Sequence, residues 1–191
     1  MYTWGYIKEN TLSKMDITEK LANEQGFLKR FPYCANEAMT QICSAIKPKE
    51  QYFEITVKSV NQTCMFPDDF IAFSDNIILY APDESCDFVE VGDEDINYVG
   101  YNCVSCRQPG IYRIPYKARW FFFTPDLEND VVIPAPADIC EAIPSYIVSQ
   151  CLKVDDELKA AVYRNEFEMF LARIDDTNFK SQRTFKRGGG W

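Results

Sequence analysis

The chain has 191 residues, of which 47% are hydrophobic and 15% aromatic, enough for a folded core, which excludes a disordered chain. No apolar run approaches the roughly 18 residues that a membrane span needs. The first residues lack the basic and apolar pattern of a signal peptide, so we expect a protein made and used in a cytoplasm. The net charge of −9 disfavours a nucleic-acid-binding module, which needs a basic face.

Residues 1–48 are predicted to form a pair of helices. Thr3 can cap the first helix, and Gly26 interrupts the pattern before the second. Apolar residues at steps of three and four mark one buried face of the second helix: Leu28, Phe31, Ala35, Met39, Ile42 and Ile46. Because Pro32 lies in this run, the helix either begins at Phe31 or is kinked at the proline.

Residues 49–135 are predicted to form a β insertion, because their short alternating runs are separated by turn residues. The predicted strands cover residues 52–57, 76–80, 88–91, 96–101, 111–114 and 119–123. Between Lys58 and Arg107 there are ten carboxylates and no lysine or arginine. We therefore expect a small antiparallel sheet or sandwich with an acidic surface.

Residues 136–175 return to a helical pattern, with one helix to about Cys151 and a second capped by Asp155. The second helix has two apolar stripes, the first formed by Leu158, Val162, Met169 and Ala172, and the other by Tyr163, Phe167, Phe170 and Ile174. A surface helix needs only one stripe. We therefore predict that this helix is covered on two sides, with a subunit interface at Tyr163, Phe167, Phe170 and Ile174.

The predicted fold class is α+β. The N-terminal and C-terminal helix pairs form a four-helix unit, and the antiparallel β insertion lies between them in the sequence. Residues 176–191 are predicted to be an extended docking tail, because they show no helical or strand period. The residues predicted to dock are four bases and three large aromatics: Phe179, Lys180, Arg183, Phe185, Lys186, Arg187 and Trp191. Such aromatics are typical interface anchors, although a frayed terminus is the alternative.

The chain contains no histidine, which removes Ser-His-Asp triads, Cys-His dyads and histidine metal sites. It also has no P-loop and no glycine-rich dinucleotide motif. We predict no catalytic residue, no metal site and no cofactor, and hence a protein that is not an enzyme. The eight cysteines are interpreted mainly as buried apolar residues, and the Cys103 and Cys106 pair lacks the second pair typical of structural zinc sites.

The order of helices, β insertion and helices resembles the head–tail adaptor and tail-tubular (gateway, neck-ring) proteins of tailed bacteriophages. Four stretches carry the resemblance: LKRFPYCANEA at 28–38, PDDFIAF at 67–73, PSYIVSQC at 144–151 and YRNEFEMFLAR at 163–173. The last two, a proline-containing helix followed by the YRNE helix, are the strongest. All four are packing motifs rather than catalytic signatures.

The resemblance implies a virion structural protein that forms a ring, with 12 copies in that family, in the neck between capsid and tail. The ring would bind the portal protein, partly through the C-terminal tail, and receive a tail or nozzle protein. Genomic DNA would pass through without specific binding, and no membrane would be involved. An acidic channel surface that repels phosphate is expected at Asp68, Asp69, Asp93, Glu94 and Asp95.

Two other functions are compatible with the sequence. One is a small metal- or ligand-binding module that uses Cys103, Cys106 and the acidic loops. The other is a different tail or capsid accessory protein of the same virus, which would form no ring at the portal. Metal analysis of the purified protein distinguishes the first of these from a connector.

Overall fold

The computed structural model describes the backbone of residues 1–185 and the side chains of residues 1–174 except Asp93. The chain divides into two compact units, one made of residues 1–47 and the residues from Trp120 onward, the other of residues 48–119. The predicted α+β class is confirmed, since the N-terminal helices pack against the C-terminal helix pair, and the antiparallel sheets lie between these helices in the sequence. Within the described residues, no helix combines the length and apolarity that crossing a membrane requires.

The first unit is helical. In its described part the helices are α1 (Trp4–Met15), α2 (Glu19–Glu24), α3 (Phe27–Ala45), α4 (Ala137–Leu152) and α5 (Glu157–Phe185). Thr3 caps α1 as predicted, and its side chain accepts a backbone N–H at 3.2 Å. Gly26 precedes α3 with a φ of 75°, a left-handed conformation that glycine adopts without a Cβ clash. Because α3 begins at Phe27, Pro32 lies inside the helix rather than in its first turn.

Helix α4 is the centre of this unit. Eleven of its 16 residues are buried, and α1, α3 and α5 all pack against it. Ile139, Ile143 and Ile147 are completely inaccessible to solvent. A helix that is apolar around its whole circumference is stable in water only when other elements enclose it. The segments that precede and follow the β unit in the sequence therefore fold together to form this unit.

The second unit contains two antiparallel sheets. Its strands are β1 (Lys49–Val57), β2 (Gln62–Met65), β3 (Phe70–Phe73), β4 (Ile78–Ala81), β5 (Val89–Val91), β6 (Ile96–Val99), β7 (Cys103–Cys106) and β8 (Gly110–Ala118). One sheet has the order β1-β8-β4-β5, with β3 also paired to β8, and the other has the order β2-β7-β6. The sheets share one core, in which Val104, Tyr112 and Ile114 are fully buried.

The β unit is shorter than predicted, because it ends at Arg119 rather than at residue 135. The aromatic run that follows was predicted to be the last strand, but it is irregular backbone that belongs to the helical unit. Asn36 of α3 holds it there, donating to the Phe123 carbonyl and accepting the Phe123 N–H, both at 2.8 Å. The Phe123 ring lies 5.0 Å from the Trp4 ring. Aromatic residues favour strands, but here their packing against the helices outweighs that tendency.

The Asn36→Ala variant tests this attachment. We expect the free energy of unfolding to fall by about 1–3 kcal/mol, because the backbone N–H and C=O of buried Phe123 lose their partner. Urea unfolding is the measurement. The matched control is Ser44→Ala, at an exposed position on the same helix, which should change stability by less than about 0.5 kcal/mol. Equal unfolding midpoints for both variants would contradict the role assigned to Asn36.

Candidate functional site

Helix α5 buries one of its two apolar stripes inside its own unit. Phe167 is fully buried and Ile174 is 1% exposed. The Phe167 ring packs edge-to-face on Tyr146 of α4, with ring centroids 4.9 Å apart. Tyr163 and Phe170, on the same side, are half-buried. Of the four residues predicted to form a subunit interface, Phe167 and Ile174 therefore belong to the core of their own chain and cannot reach a neighbour.

Polar contacts to α1 fix the rotation of α5 about its axis. The Tyr163 hydroxyl donates to the Lys14 carbonyl at 2.7 Å, and the Lys14 ammonium pairs with Glu166 at 2.8 Å. One turn earlier, the Lys159 ammonium donates to the Met15 carbonyl at 3.0 Å. Together with the Phe167 contact, these bonds leave only one face of α5 directed away from the unit.

The second apolar stripe of α5 is exposed. Leu158, Val162 and Met169 are 84%, 63% and 67% exposed, and Val154, just before the helix, is 87% exposed. Residues four and seven apart on a helix lie in one row, as they do in a coiled-coil seam. Single exposed apolar residues are ordinary, but a row of them is typical of a helix with a packing partner. The stripe is a candidate assembly surface.

A groove between α1 and α3 is a second candidate surface, and the sequence analysis did not identify it. Its volume is about 470 Å³, and it is lined by Trp4, Lys8, Leu28, Lys29, Pro32, Tyr33, Pro125 and Leu127. The floor is apolar, and no acidic side chain is among these lining residues. The Lys8 ammonium lies 5.7 Å from the centre of the Trp4 ring, so one base is held at the groove by a cation–π contact.

Asp69, predicted to lie on an acidic channel surface, forms a structural hydrogen bond in the β unit. Its carboxylate accepts a hydrogen bond from the Tyr116 hydroxyl at 3.0 Å, and its side chain is half-buried. Burial and this hydrogen bond raise the pKa of Tyr116 to about 12, so the phenol stays protonated and keeps donating.

The other predicted channel acids do not converge. Asp68 and Glu94 are exposed, Asp95 is half-buried, and the side chain of Asp93 lies outside the described residues. Among the described residues, no three acidic, cysteine or histidine side chains come together to hold an ion. Asp68 and Glu94 remain candidates for a repulsive surface, whereas nothing in this arrangement forms a binding site.

Cys103 and Cys106 lie in one strand, β7, three positions apart. Successive side chains in a strand point to opposite faces, so these two thiols face opposite sides of the sheet. Cys106 is fully buried, and burial raises the pKa of its thiol to about 12, which keeps it protonated and poorly suited to bind a metal. The interpretation of cysteines as buried residues holds for Cys34, Cys43, Cys106, Cys140 and Cys151.

The predicted docking tail differs from the structure in its first part. Helix α5 continues to Phe185, so the backbone of residues 176–185 is helical rather than extended. For four of the predicted docking residues only the backbone is described: Phe179, Lys180, Arg183 and Phe185. The other three lie outside the described residues: Lys186, Arg187 and Trp191. Their docking role stays a prediction.

Comparison with protein-family models and with curated proteins gives no match for this chain. A function can therefore be proposed only from the sequence and the geometry of the chain itself.

Alanine variants in the two stripes of α5 should differ in their effect on stability. Phe167→Ala should lower the free energy of unfolding by about 3–5 kcal/mol, because it opens a cavity against α4. Met169→Ala, two positions along but exposed, should change it by less than about 0.5 kcal/mol. Urea unfolding of the two variants is the measurement. Similar losses of unfolding free energy at both positions would mean that the outer stripe is also covered in the isolated chain.

The geometry of β7 predicts that the protein binds no stoichiometric zinc. After purification without chelator, elemental analysis should find far less than one zinc per chain, because Cys103 and Cys106 cannot ligate one ion from opposite faces. A Cys103→Ser variant should keep the thermal midpoint of the wild type. About one zinc per chain, lost in that variant together with stability, is the result that would overturn this conclusion.

Proposed function

We propose that the protein is a virion structural protein of a tailed bacteriophage: a head–tail connector whose copies form a ring in the neck. The ring binds the portal protein, extends the DNA channel and receives a tail or nozzle protein. The proposal joins the resemblance in the sequence, which covers most of the chain, to the assembly surface found on α5. It describes a protein that acts by shape and association rather than by catalysis.

The exposed stripe of α5 is the observation that carries the proposal. Burial of an exposed leucine, valine or methionine side chain contributes about 1.5–3 kcal/mol each, before the costs of association are subtracted. Leu158, Val162 and Met169 provide three such side chains in one row. A contact of this size is modest by itself, but in a closed ring every copy makes it on two sides.

The chemistry of the side chains supports an assembly role over an enzymatic one. The chain has no histidine to act as a general base or to activate a nucleophile. Burial raises the pKa of the Cys106 and Cys140 thiols to about 12, so these two cysteines are protonated and unreactive at neutral pH. The tyrosines whose pKa is raised serve structural hydrogen bonds, as Tyr116 does with Asp69.

The acidic β unit suits a protein past which DNA must move. Residues 48–119 hold twelve carboxylates and six bases. An excess of negative charge repels the phosphate backbone, whereas DNA-binding surfaces need a basic patch. Asp68 and Glu94, both exposed, are the side chains expected to contribute if this unit lines the channel.

The alternatives are less well supported. A metal-binding module would need ligands that converge, but Cys103 and Cys106 face opposite sides of their sheet. A tail or capsid accessory protein is compatible with the same features of the helical unit, but it would form no ring at the portal. Binding to the portal is therefore the property that separates this alternative from a connector.

Co-sedimentation of the purified full chain with tailless heads, or with purified portal, tests the proposal. We expect saturable binding and, by electron microscopy of the complex, an added ring below the portal. Heads without portal are the control and should not retain the protein. Failure to bind the portal at any ratio would exclude the connector and favour the accessory-protein alternative.

The C-terminal residues supply a further prediction on the same assay. Deletion of 178–191 should leave the helical core intact, because the last described buried residue of α5 is Ile174. Portal binding should be lost, since each buried Phe or Trp contributes about 2–3 kcal/mol and ring avidity multiplies the effect. The Phe185→Ala, Trp191→Ala double variant should lose much of the binding, whereas Ser181→Ala with Thr184→Ala should not. Unchanged affinity after the deletion would move the docking surface to the helical unit.

A further inference from the structure

A closed ring needs two different surfaces on each copy. When one surface of a subunit meets a different surface of the next, the contact is head-to-tail and can close into a ring, whereas a surface that meets itself stops at a dimer. The helical unit has two candidate surfaces, the exposed stripe of α5 and the groove between α1 and α3. Position, charge and shape decide whether these two surfaces fit each other, and a contact between them rests on the proposed ring.

The stripe and the groove lie in different parts of the helical unit. The groove is lined by the N-terminal halves of α1 and α3, from Trp4 and Leu28, and by Pro125 and Leu127 of the irregular segment after the β unit. Helix α5 instead contacts the C-terminal parts of these helices, at Lys14 of α1 and at Gln41 of α3. No residue belongs to both surfaces, so one copy can offer its stripe to one neighbour and its groove to another.

The charges of the two surfaces are complementary. The groove lining contains Lys8 and Lys29, both bases, and no acid. Three successive acids, residues 155–157, precede and begin α5, next to the exposed Leu158. Within the part of the chain that the structure describes, neither Lys29 nor Glu157 forms an ion pair. Both side chains are exposed, so each is free to meet a partner of opposite charge.

The apolar parts of the two surfaces also match. Val154 and Leu158 lie on either side of Glu157 in the sequence and are 87% and 84% exposed. The groove has an apolar floor that includes Leu28 and Pro32, and its volume of about 470 Å³ can take several side chains. An apolar anchor in a pocket with a charged pair at the rim is the usual anatomy of a specific protein contact.

We infer that the start of α5 in one copy, residues 154–162, docks in the α1–α3 groove of the next copy. Leu158 enters the apolar floor of the groove, and Glu157 pairs with Lys29 at its rim. The occupant of the groove is thus a second copy of this chain, and the contact is head-to-tail. Each copy uses both surfaces once, which is the arrangement that a closed ring requires.

A charge exchange across the contact is the test. Sedimentation velocity of the full chain, measured up to the highest soluble concentration, should show self-association. Glu157→Lys and Lys29→Glu should each weaken it about tenfold, because each places like charges together. The double variant, which restores opposite charges in reversed order, should recover association close to that of the wild type. Leu158→Asp should abolish association, since the charge would enter an apolar floor.

Matched controls make the result specific. Glu19→Lys and Lys20→Glu make the same charge changes on exposed α2, outside both surfaces, and should leave association unchanged. A wild type that stays monomeric, single variants that associate normally, or a double variant without recovery would each overturn the inference. Portal binding in the co-sedimentation assay would then still stand, so the connector function and this contact can fail separately.

Discussion

The need to enclose α4 determines how the helical unit is built. This helix is apolar on all sides, with eleven of 16 residues buried, and no single neighbour could cover it. Helices α1 and α3 come from the start of the chain and α5 from its end, and each packs against α4. The β unit can therefore be inserted between the two halves of the helical unit without interrupting its core, because loop closure costs little more for a long insertion than for a short one.

Enclosing α4 also decides which face of α5 is left free. Sequence periodicity showed that α5 has two apolar stripes, but it could not show which one faces inward. Both stripes have the helical spacing, and the richer one, with Phe167 and Ile174, was assigned to a subunit interface. The structure uses that stripe against Tyr146 of α4, and the Lys14 contacts hold the helix in this rotation. The smaller side chains, Leu158 and Val162, are the ones that remain exposed.

Local signals in the sequence located several helix ends and strands but missed α2, β2, β3 and β7, and long-range contacts were not predictable. The Thr3 cap and the Gly26 break identified α1 and the start of α3, because both act within one helical turn. The end of the β unit depends on Asn36, 87 residues away from the Phe123 backbone that it binds, and no local pattern reports such a pair. The hydrogen bond between Asp69 and Tyr116 was not foreseen for the same reason, because the two residues lie 47 positions apart in the chain.

The distribution of charge limits where copies of this protein can touch. Residues 48–119 have twice as many carboxylates as bases, so β units brought together in a ring repel one another at short range. This repulsion falls off within about 8 Å at physiological ionic strength, so it disfavours direct contact but not a shared ring. In the proposed ring, attraction between copies would then come from the helical unit, where an apolar stripe and a groove with two lysines are available. In the proposed ring, the helical units would supply the contacts between copies, and the excess negative charge of the β units would disfavour binding of DNA.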